Sequence, residues 1–190
     1  MSYARILPRP NAISENEKHL RDRLKFLITT YIQPILVEEF IVGREITVFL
    51  LEGLNKKVYM AERVFKKSSE RYIFATFEDQ WLKSSAETFH YQKYADPLLR
   101  EYIKKAFETT RMSDYGKFDV GFDSSGRYFF FDSNSNPAFG PKETDCAMAN
   151  ILDMYDISFY DVLKRLLINT QRDALGKTLL PSKIPSKRLP

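Results

Sequence analysis

The sequence predicts an α+β domain in which an antiparallel sheet and a β-hairpin are packed by helices. Apolar runs bounded by turn residues indicate strands over Ile35 to Ile41, Glu45 to Leu51 and Lys57 to Phe65. Two further runs, Lys117 to Phe122 and Arg127 to Asp132, flank a short polar turn and indicate the hairpin. Apolar residues at helical spacing before and after these strands predict the helices.

Two of the helices are predicted from capping residues. Ser14-Glu15-Asn16-Glu17 matches a capping box, and the leucines that follow recur at helical spacing until Pro34 ends the run. Residues 1–13 contain two prolines and no periodic pattern, so we expect an irregular lead-in. Asp96-Pro97 supplies the N-cap and the first residue of the second helix, whose apolar face begins at Leu98.

The remaining segments are a long loop, two helices and a tail. Between Ser68 and Asp96 the sequence is polar with scattered aromatic residues, and such a long loop favours a binding role, with core packing as the alternative for each aromatic. Helices are predicted over Asp145 to Tyr155 and Phe159 to about Ala174. Residues 175–190 carry prolines among basic residues, so we expect a disordered basic tail.

The composition narrows the functional classes. With 190 residues, 44% of them hydrophobic, the chain can build one substantial core or two small subdomains. No apolar run approaches the roughly 18 to 20 residues that cross a bilayer, so we expect a cytoplasmic protein without a membrane partner. A single cysteine excludes an internal disulfide framework and a Cys-based zinc site. The net charge of +4 is dispersed among acidic residues, and nucleic acid is therefore not an expected partner.

The hairpin carries the polar residues that indicate a chemical function. If Asp123 pairs with Gly126 across the turn, side chains alternate between two faces of the hairpin. The apolar face then carries Phe118, Val120, Phe122, Phe129 and Phe131. The other face carries Lys117, Asp119 and Asp132, with Asn134 just beyond the second strand.

Two carboxylates on one strand face repel each other unless a cation compensates them. Mg²⁺ accepts such a partial shell of oxygen ligands, completed by waters and substrate phosphates. The residues alone leave two interpretations. Asp119, Asp132 and Asn134 form a Mg²⁺ site with Lys117 at a phosphate oxygen, or the face is a solvated acidic surface neutralised by Lys117.

Two acidic residues interrupt the first predicted strands. Glu38 lies inside an otherwise apolar run, and Glu45 opens the next run across a short turn. That spacing would place both carboxylates beside one ligand. The alternative is a pair of edge-strand charges that discourage aggregation.

Three separated segments carry a family resemblance: Val37 to Val48 (VEEFIVGREITV), Gly116 to Asp119 (GKFD) and Phe131 to Pro137 (FDSNSNP). They are similar, in the same order, to the ATP-grasp fold of D-alanine:D-alanine ligases over about residues 14–172. The resemblance implies a partial ATP-grasp domain over 14–174. Its nucleotide-side sheet would span about 35–77, and its metal-side hairpin and helices about 96–174.

The resemblance also implies roles for individual residues. Glu38 would meet the adenine amino group and Glu45 the ribose, with the backbone of Glu39 and Ile41 contributing to the nucleotide site. Lys117 would act on the transferring phosphate. Mg²⁺, with Mn²⁺ as an alternative, would be held by Asp119, Asp132 and Asn134.

Ligases of this family use ATP to phosphorylate a carboxylate, and an amine then attacks the acyl phosphate. The implied function is therefore an ATP-dependent carboxylate-amine ligase acting on small substrates such as amino acids. A noncatalytic nucleotide-binding or interaction module derived from such a ligase is the alternative.

The sequence departs from the family pattern at several positions. Lys117 stands where the family has arginine, and Asp132 stands where it has glutamate. Gln80-Trp81 replaces a lysine-tryptophan pair, with Lys83 as a possible substitute. The family's glycine-rich loop and amino-terminal substrate domain have no counterpart in the sequence. We therefore expect an incomplete ligase, inactive alone, that depends on a separate N-terminal domain or a homo-oligomer.

Overall fold

Helices and an antiparallel sheet make up the fold, as the sequence predicts. The structure is a computed structural model that describes residues 12–66, 72–74 and 88–179, with side chains described as far as residue 175. The helices are α1 (Glu17–Tyr31), α2 (Pro97–Thr109), α3 (Ala147–Met154) and α4 (Phe159–Leu179). The strands are β1 (Gly43–Leu51), β2 (Lys57–Phe65), β3 (Phe89–Lys93), β4 (Tyr115–Asp123) and β5 (Tyr128–Asn134), and a 3-10 turn spans Lys142–Thr144.

The five strands form one sheet in the order β3-β2-β1-β4-β5, so β1 and β4 are neighbours although β2 and β3 lie between them in the chain. The described residues divide between two compact units. The first unit is drawn from residues 1–45, 63–92 and 121–129, and the second from 46–62, 93–120 and 130–190.

The core of the second unit is built on β1 and the last two helices. Its buried cluster consists of Phe49, Leu51, Met148, Leu152 and Val162. The apolar face of α2 is also buried, through Leu99, Ile103 and Phe107. Tyr115 of β4 packs against this cluster, and side chains alternate along a strand, so the polar side chains of β4 two and four residues further on lie on the same face as the cluster.

Three helix starts follow from their caps. Asp96 Oδ1 accepts hydrogen bonds from the backbone N–H groups of Leu98 (2.9 Å) and Leu99 (3.0 Å), which confirms the predicted N-cap of α2. Ser158 and Asp161 exchange backbone and side-chain hydrogen bonds at the start of α4. The cap of α1 is Asn16 rather than the predicted Ser14, since the Asn16 side chain accepts the N–H of His19 at 2.8 Å. Helix α4 continues to Leu179, beyond the predicted end near Ala174.

One predicted strand is wrong. Residues Ile35 to Ile41 are irregular, and β1 begins only at Gly43. In the described part of the sheet no neighbouring strand pairs with this segment, and an apolar run without a pairing partner does not become a strand. Its one large aromatic residue packs instead on other rings, because the centroid of Phe40 lies 5.4 Å from that of Tyr72 and 6.0 Å from that of Phe74.

The hairpin turn differs from the predicted turn by one residue. The Gly126 N–H donates to the Asp123 carbonyl at 3.1 Å, but the Asp123 N–H donates to the carbonyl of Arg127, also at 3.1 Å. Gly126 has a φ of +79°, a left-handed conformation that glycine adopts readily, and it enters as an extra, bulged residue. Phe122 consequently stacks on Tyr128, with ring centroids 5.1 Å apart, instead of facing Arg127.

This shift changes which side chains share a face, because one residue of slip turns every side chain of a strand over. Phe118 meets Phe130 edge-on at 6.2 Å, although the predicted register places Phe130 on the opposite face. The predicted apolar face that joins Phe118 to Phe129 and Phe131 is therefore wrong. Counting across the turn in the observed register likewise no longer places Asp132 and Asn134 on the strand face of Lys117 and Asp119.

The turn carries a pH-dependent stabilisation through Asp123. Its Oδ1 accepts the backbone N–H groups of Ser125 and Arg127, both at 2.9 Å, and its Oδ2 pairs with the Arg127 guanidinium. The hydrogen bond from the Arg127 backbone is the main cause that holds the pKa of Asp123 below the ordinary value of an aspartate. A depressed carboxyl pKa gives stability that is present above the ordinary pKa and lost as pH falls through the folded-state pKa.

We therefore expect Asp123→Asn to be less stable than the wild type at about pH 6, with a smaller difference between the two proteins at about pH 3. Urea unfolding of both proteins at the two pH values measures this difference. A difference in unfolding free energy that stays constant between the two pH values would contradict the role given to the carboxylate.

Candidate metal and nucleotide site

One part of the candidate site lies where β4 and β1 are neighbours in the sheet. Lys117 and Asp119 are two residues apart on β4, and the Lys117 ammonium forms an ion pair with Asp119 Oδ2. From β1, the Thr47 hydroxyl donates a hydrogen bond to Asp119 Oδ1 at 3.1 Å. We call Thr47, Lys117 and Asp119 the Asp119 cluster. It confirms that Lys117 and Asp119 share a strand face.

The cluster is largely shielded from water. The side chains of Lys117 and Asp119 are 14% and 17% exposed, and Thr47 is fully buried. On the opposite face of β4, Phe118 and Val120 are fully buried and anchor the strand. Because both oxygens of the Asp119 carboxylate have hydrogen-bond partners, its orientation is defined before any ligand arrives. Thr47 was missed in the sequence because nothing in its apolar strand distinguishes a threonine that donates a hydrogen bond to a carboxylate from a packed one.

Asp132 and Asn134 lie near the end of β5, and both are partly buried. Asn134 Oδ1 accepts the backbone N–H of Asn136 at 2.9 Å, which starts a tight turn after the strand. Pro137 is buried and holds the following loop. Within the described residues, no group of three or more His, Cys, Asp or Glu side chains is arranged to hold a metal. The predicted Mg²⁺ ligands Asp119, Asp132 and Asn134 are not such a group, because they combine two carboxylates with an amide. All three side chains offer the oxygen ligands that Mg²⁺ prefers.

Glu45, one of the two acidic residues predicted to contact the nucleotide, lies in the first unit at the start of β1. Its Oε1 accepts a hydrogen bond from an Arg63 guanidinium nitrogen at 2.5 Å in an ion pair. Strand β1, which carries Glu45, lies between β2 and β4, so the alternative of an edge-strand charge is wrong for this residue. Arg63 was missed in the sequence, where the only signal was a basic residue inside the apolar run of β2.

The remaining predicted nucleotide contacts lie in the irregular segment before β1. Glu38 and Glu39 are exposed, and Ile41 is partly buried. Their contacts with adenine stay a prediction. Gln80, Trp81 and Lys83, the departures in the aromatic loop, lie outside the described residues. No helix among the described residues is long and apolar enough to cross a membrane.

Comparisons with known proteins identify the family of the chain. The family model described as D-ala D-ala ligase C-terminus matches residues 12–168. The uncharacterized protein y4sG of Sinorhizobium fredii is 31% identical over 123 residues, which cover 62% of this chain and 36% of that protein.

Two solved structures are similar at lower identity. D-alanyl-alanine synthetase A from Vibrio cholerae matches with a TM-score of 0.50 and 16% identity, over 70% of this chain and 40% of that one. The VanG D-Ala:D-Ser ligase from Enterococcus faecalis matches with a TM-score of 0.45 and 19% identity, over 68% of this chain and 37% of that one. The chain thus spans 36% to 40% of the length of these relatives. Because the family model covers most of the sequence, the chain belongs to the D-ala D-ala ligase C-terminus family.

Proposed function

We propose that this chain provides the Mg-ATP side of an ATP-dependent carboxylate-amine ligase related to the D-Ala:D-Ala ligases. One observation carries the proposal. The family match runs through β4, which bears Lys117 and Asp119, and the structure brings these two side chains together with a buried threonine of β1. A carboxylate held in a fixed orientation beside an ammonium suits a metal-bound phosphate better than it suits a solvated surface.

On the metal side, Asp119, Asp132 and Asn134 would hold Mg²⁺, and Mn²⁺ could replace it. The ion, when bound, would neutralise charge on the phosphoryl oxygens. Thr47 would keep Asp119 aligned through its hydrogen bond. Lys117 would turn its ammonium toward a phosphate oxygen, as a point charge without the two-pronged geometry of arginine.

On the nucleotide side, the contacts would be hydrogen bonds to the base and the sugar. The carboxylate of Glu38 would accept from the adenine amino group, and that of Glu45 from the ribose hydroxyls. The backbone of Glu39 and Ile41 would supply further hydrogen bonds to the base. Carboxylates are acceptors only when ionised, so they match these donors.

The substrates would be a small carboxylate, activated as an acyl phosphate, and an amine such as that of an amino acid. The chain spans about two-fifths of its structural relatives, so the groups that hold these substrates would come from a separate N-terminal domain or from a second copy.

A noncatalytic nucleotide-binding module is the second candidate, and the departures from the family pattern favour it. Lys117 stands where the family has arginine, and Asp132 is one methylene shorter than the glutamate of the family. Such a module would bind ATP whether or not a divalent cation is present, which separates it from the ligase.

The test is calorimetric titration of ATP into the protein with excess Mg²⁺ and again with EDTA. The ligase proposal predicts saturable binding that weakens by about tenfold or more without the cation, since the metal then no longer links phosphate to protein. Equal binding under both conditions would favour the noncatalytic module. No saturable binding under either condition would contradict both.

A further inference from the structure

Arg63 is a charged side chain in a place where a charge needs a partner. Its side chain is only 8% exposed, whereas that of its partner Glu45 is 23% exposed. Removing a guanidinium from water is costly unless hydrogen bonds and an opposite charge compensate it. The pair therefore has an inner end, the guanidinium, and an outer end, the carboxylate, that a ligand can reach.

Aromatic rings define the position of the inner end. The Arg63 guanidinium carbon lies 4.8 Å from the centroid of the Phe89 ring and 5.9 Å from that of Tyr91. The Tyr91 hydroxyl lies 3.4 Å from a second guanidinium nitrogen. Stacking on rings and a rigid set of donors hold an arginine in one plane, which a lysine in its place would not reproduce.

The direction of the Glu45 carboxylate follows from that arrangement. A glutamate has three rotatable side-chain bonds, and at the start of β1 it would otherwise sample several directions. The 2.5 Å hydrogen bond from Arg63 selects one of them. The selected carboxylate presents its exposed side outward, which suits it to accept hydrogen bonds from a ligand.

We propose that Arg63 is the positioning residue that aligns Glu45 to recognise the ribose hydroxyls of the nucleotide. This inference rests on the proposed function, in which Glu45 contacts the ribose. Arg63 itself does not touch the ligand. Its role is to give the carboxylate one direction, so that the protein distinguishes a ribose with both hydroxyls from a deoxyribose.

The experiment compares the affinities for ATP, 2′-deoxy-ATP and 3′-deoxy-ATP, all with Mg²⁺, by calorimetry. We expect the wild type to prefer ATP over at least one deoxy analogue by about 10- to 100-fold, as for a lost hydrogen bond to a charged group. Arg63→Met should reduce this preference to within about threefold, because the unaligned carboxylate no longer matches the hydroxyls. Adding Glu45→Gln to Arg63→Met should not reduce it further.

The matched control is Arg127→Met. Arg127 also pairs with a carboxylate, that of Asp123, and lies over a ring, that of Phe129 at 5.3 Å, but its side chain is 69% exposed and lies at the hairpin turn. The Arg127→Met variant should therefore show the same preference for ATP over the deoxy analogues as the wild type. Arg63→Lys is a second variant that retains the buried charge, and it should give an intermediate preference in a folded protein.

The outcomes separate the two proposals. Suppose that the wild type binds ATP and that Arg63→Met lowers the affinity for ATP and for the deoxy analogues equally. Arg63 then has a structural role only, and the inference is overturned. Where the methionine variant does not fold, Arg63→Lys is used for the same comparison. A wild type that binds ATP and its deoxy analogues equally well would overturn the inference too. A wild type that binds none of the three nucleotides would overturn the proposed function itself.

Discussion

Replacing Phe118 by alanine is expected to lower the free energy of unfolding by about 3 to 5 kcal/mol. Phe118 is fully buried in the second unit and meets the Phe130 ring edge-on at 6.2 Å. Truncation removes that apolar burial and leaves a cavity that a close-packed interior fills only in part. A domain of this size is stable by about 5 to 15 kcal/mol in total, so the loss is a large fraction. Urea denaturation followed by circular dichroism measures it.

Phe26→Ala is the matched control for this substitution. Phe26 lies on α1, a helix without a buried residue, and is 54% exposed. Its replacement should change the free energy of unfolding by less than about 1 kcal/mol, as surface substitutions usually do. Equal losses in the two variants would show that β4 is not anchored by the buried face opposite Lys117 and Asp119.

The second large effect is expected from Lys117→Met, which should weaken the binding of Mg-ATP and strengthen the binding of Mn²⁺ alone. Affinity for Mg-ATP should fall by about 10- to 100-fold, because a charge-assisted hydrogen bond to phosphate is lost. Affinity for Mn²⁺ alone should rise, because the ammonium no longer competes for the Asp119 carboxylate. Calorimetry measures the first affinity, and electron paramagnetic resonance of free Mn²⁺ measures the second.

Lys104→Met serves as the control for this pair of measurements. Lys104 also forms an ion pair, with Glu101 on the exposed face of α2, and neither affinity should change in its absence. If both affinities fell together in Lys117→Met, Lys117 would not be a competitor for Asp119. If neither changed, the ammonium would have no part in the site.

Local patterns were sufficient to predict much of the fold. The strands β1 and β2 followed from apolar runs with turn residues between them, and the start of α2 followed from Asp96-Pro97. These features depend on residues close together in the chain, where capping and alternation act. The pairing of Lys117 with Asp119 was predictable for the same reason, since two residues on one strand share a face.

Features set by contacts between distant segments were not predictable. Ile35 to Ile41 is as apolar as a strand, yet a strand also needs a neighbour, and the sequence does not name one. The left-handed Gly126 shifts the hairpin register by one residue, and its consequence for β5 is not visible in the composition of the turn. The partner of Glu45 is Arg63, a residue on the next strand that only the sheet brings into contact.

The Arg63 ion pair also alters the expected cost of changing Glu45. An acidic residue whose only function were ligand binding could be replaced with little change in stability. Here Glu45→Gln removes the charge that compensates a buried guanidinium, so we expect some loss of melting temperature together with weaker ATP binding.

The most direct test of the central claim is a calorimetric titration of Mg-ATP into the wild type and into the Asp119→Ala, Asp132→Ala double variant. Asp153→Ala is the control, because Asp153 pairs with Lys142 on the surface, away from the Asp119 cluster in the sequence. Thermal unfolding of each variant verifies that it is folded. If Asp119 and Asp132 hold the metal-bound phosphate, the wild type and the control bind Mg-ATP and the double variant shows no saturable heat. Equal binding by all three proteins would contradict the assignment of the site.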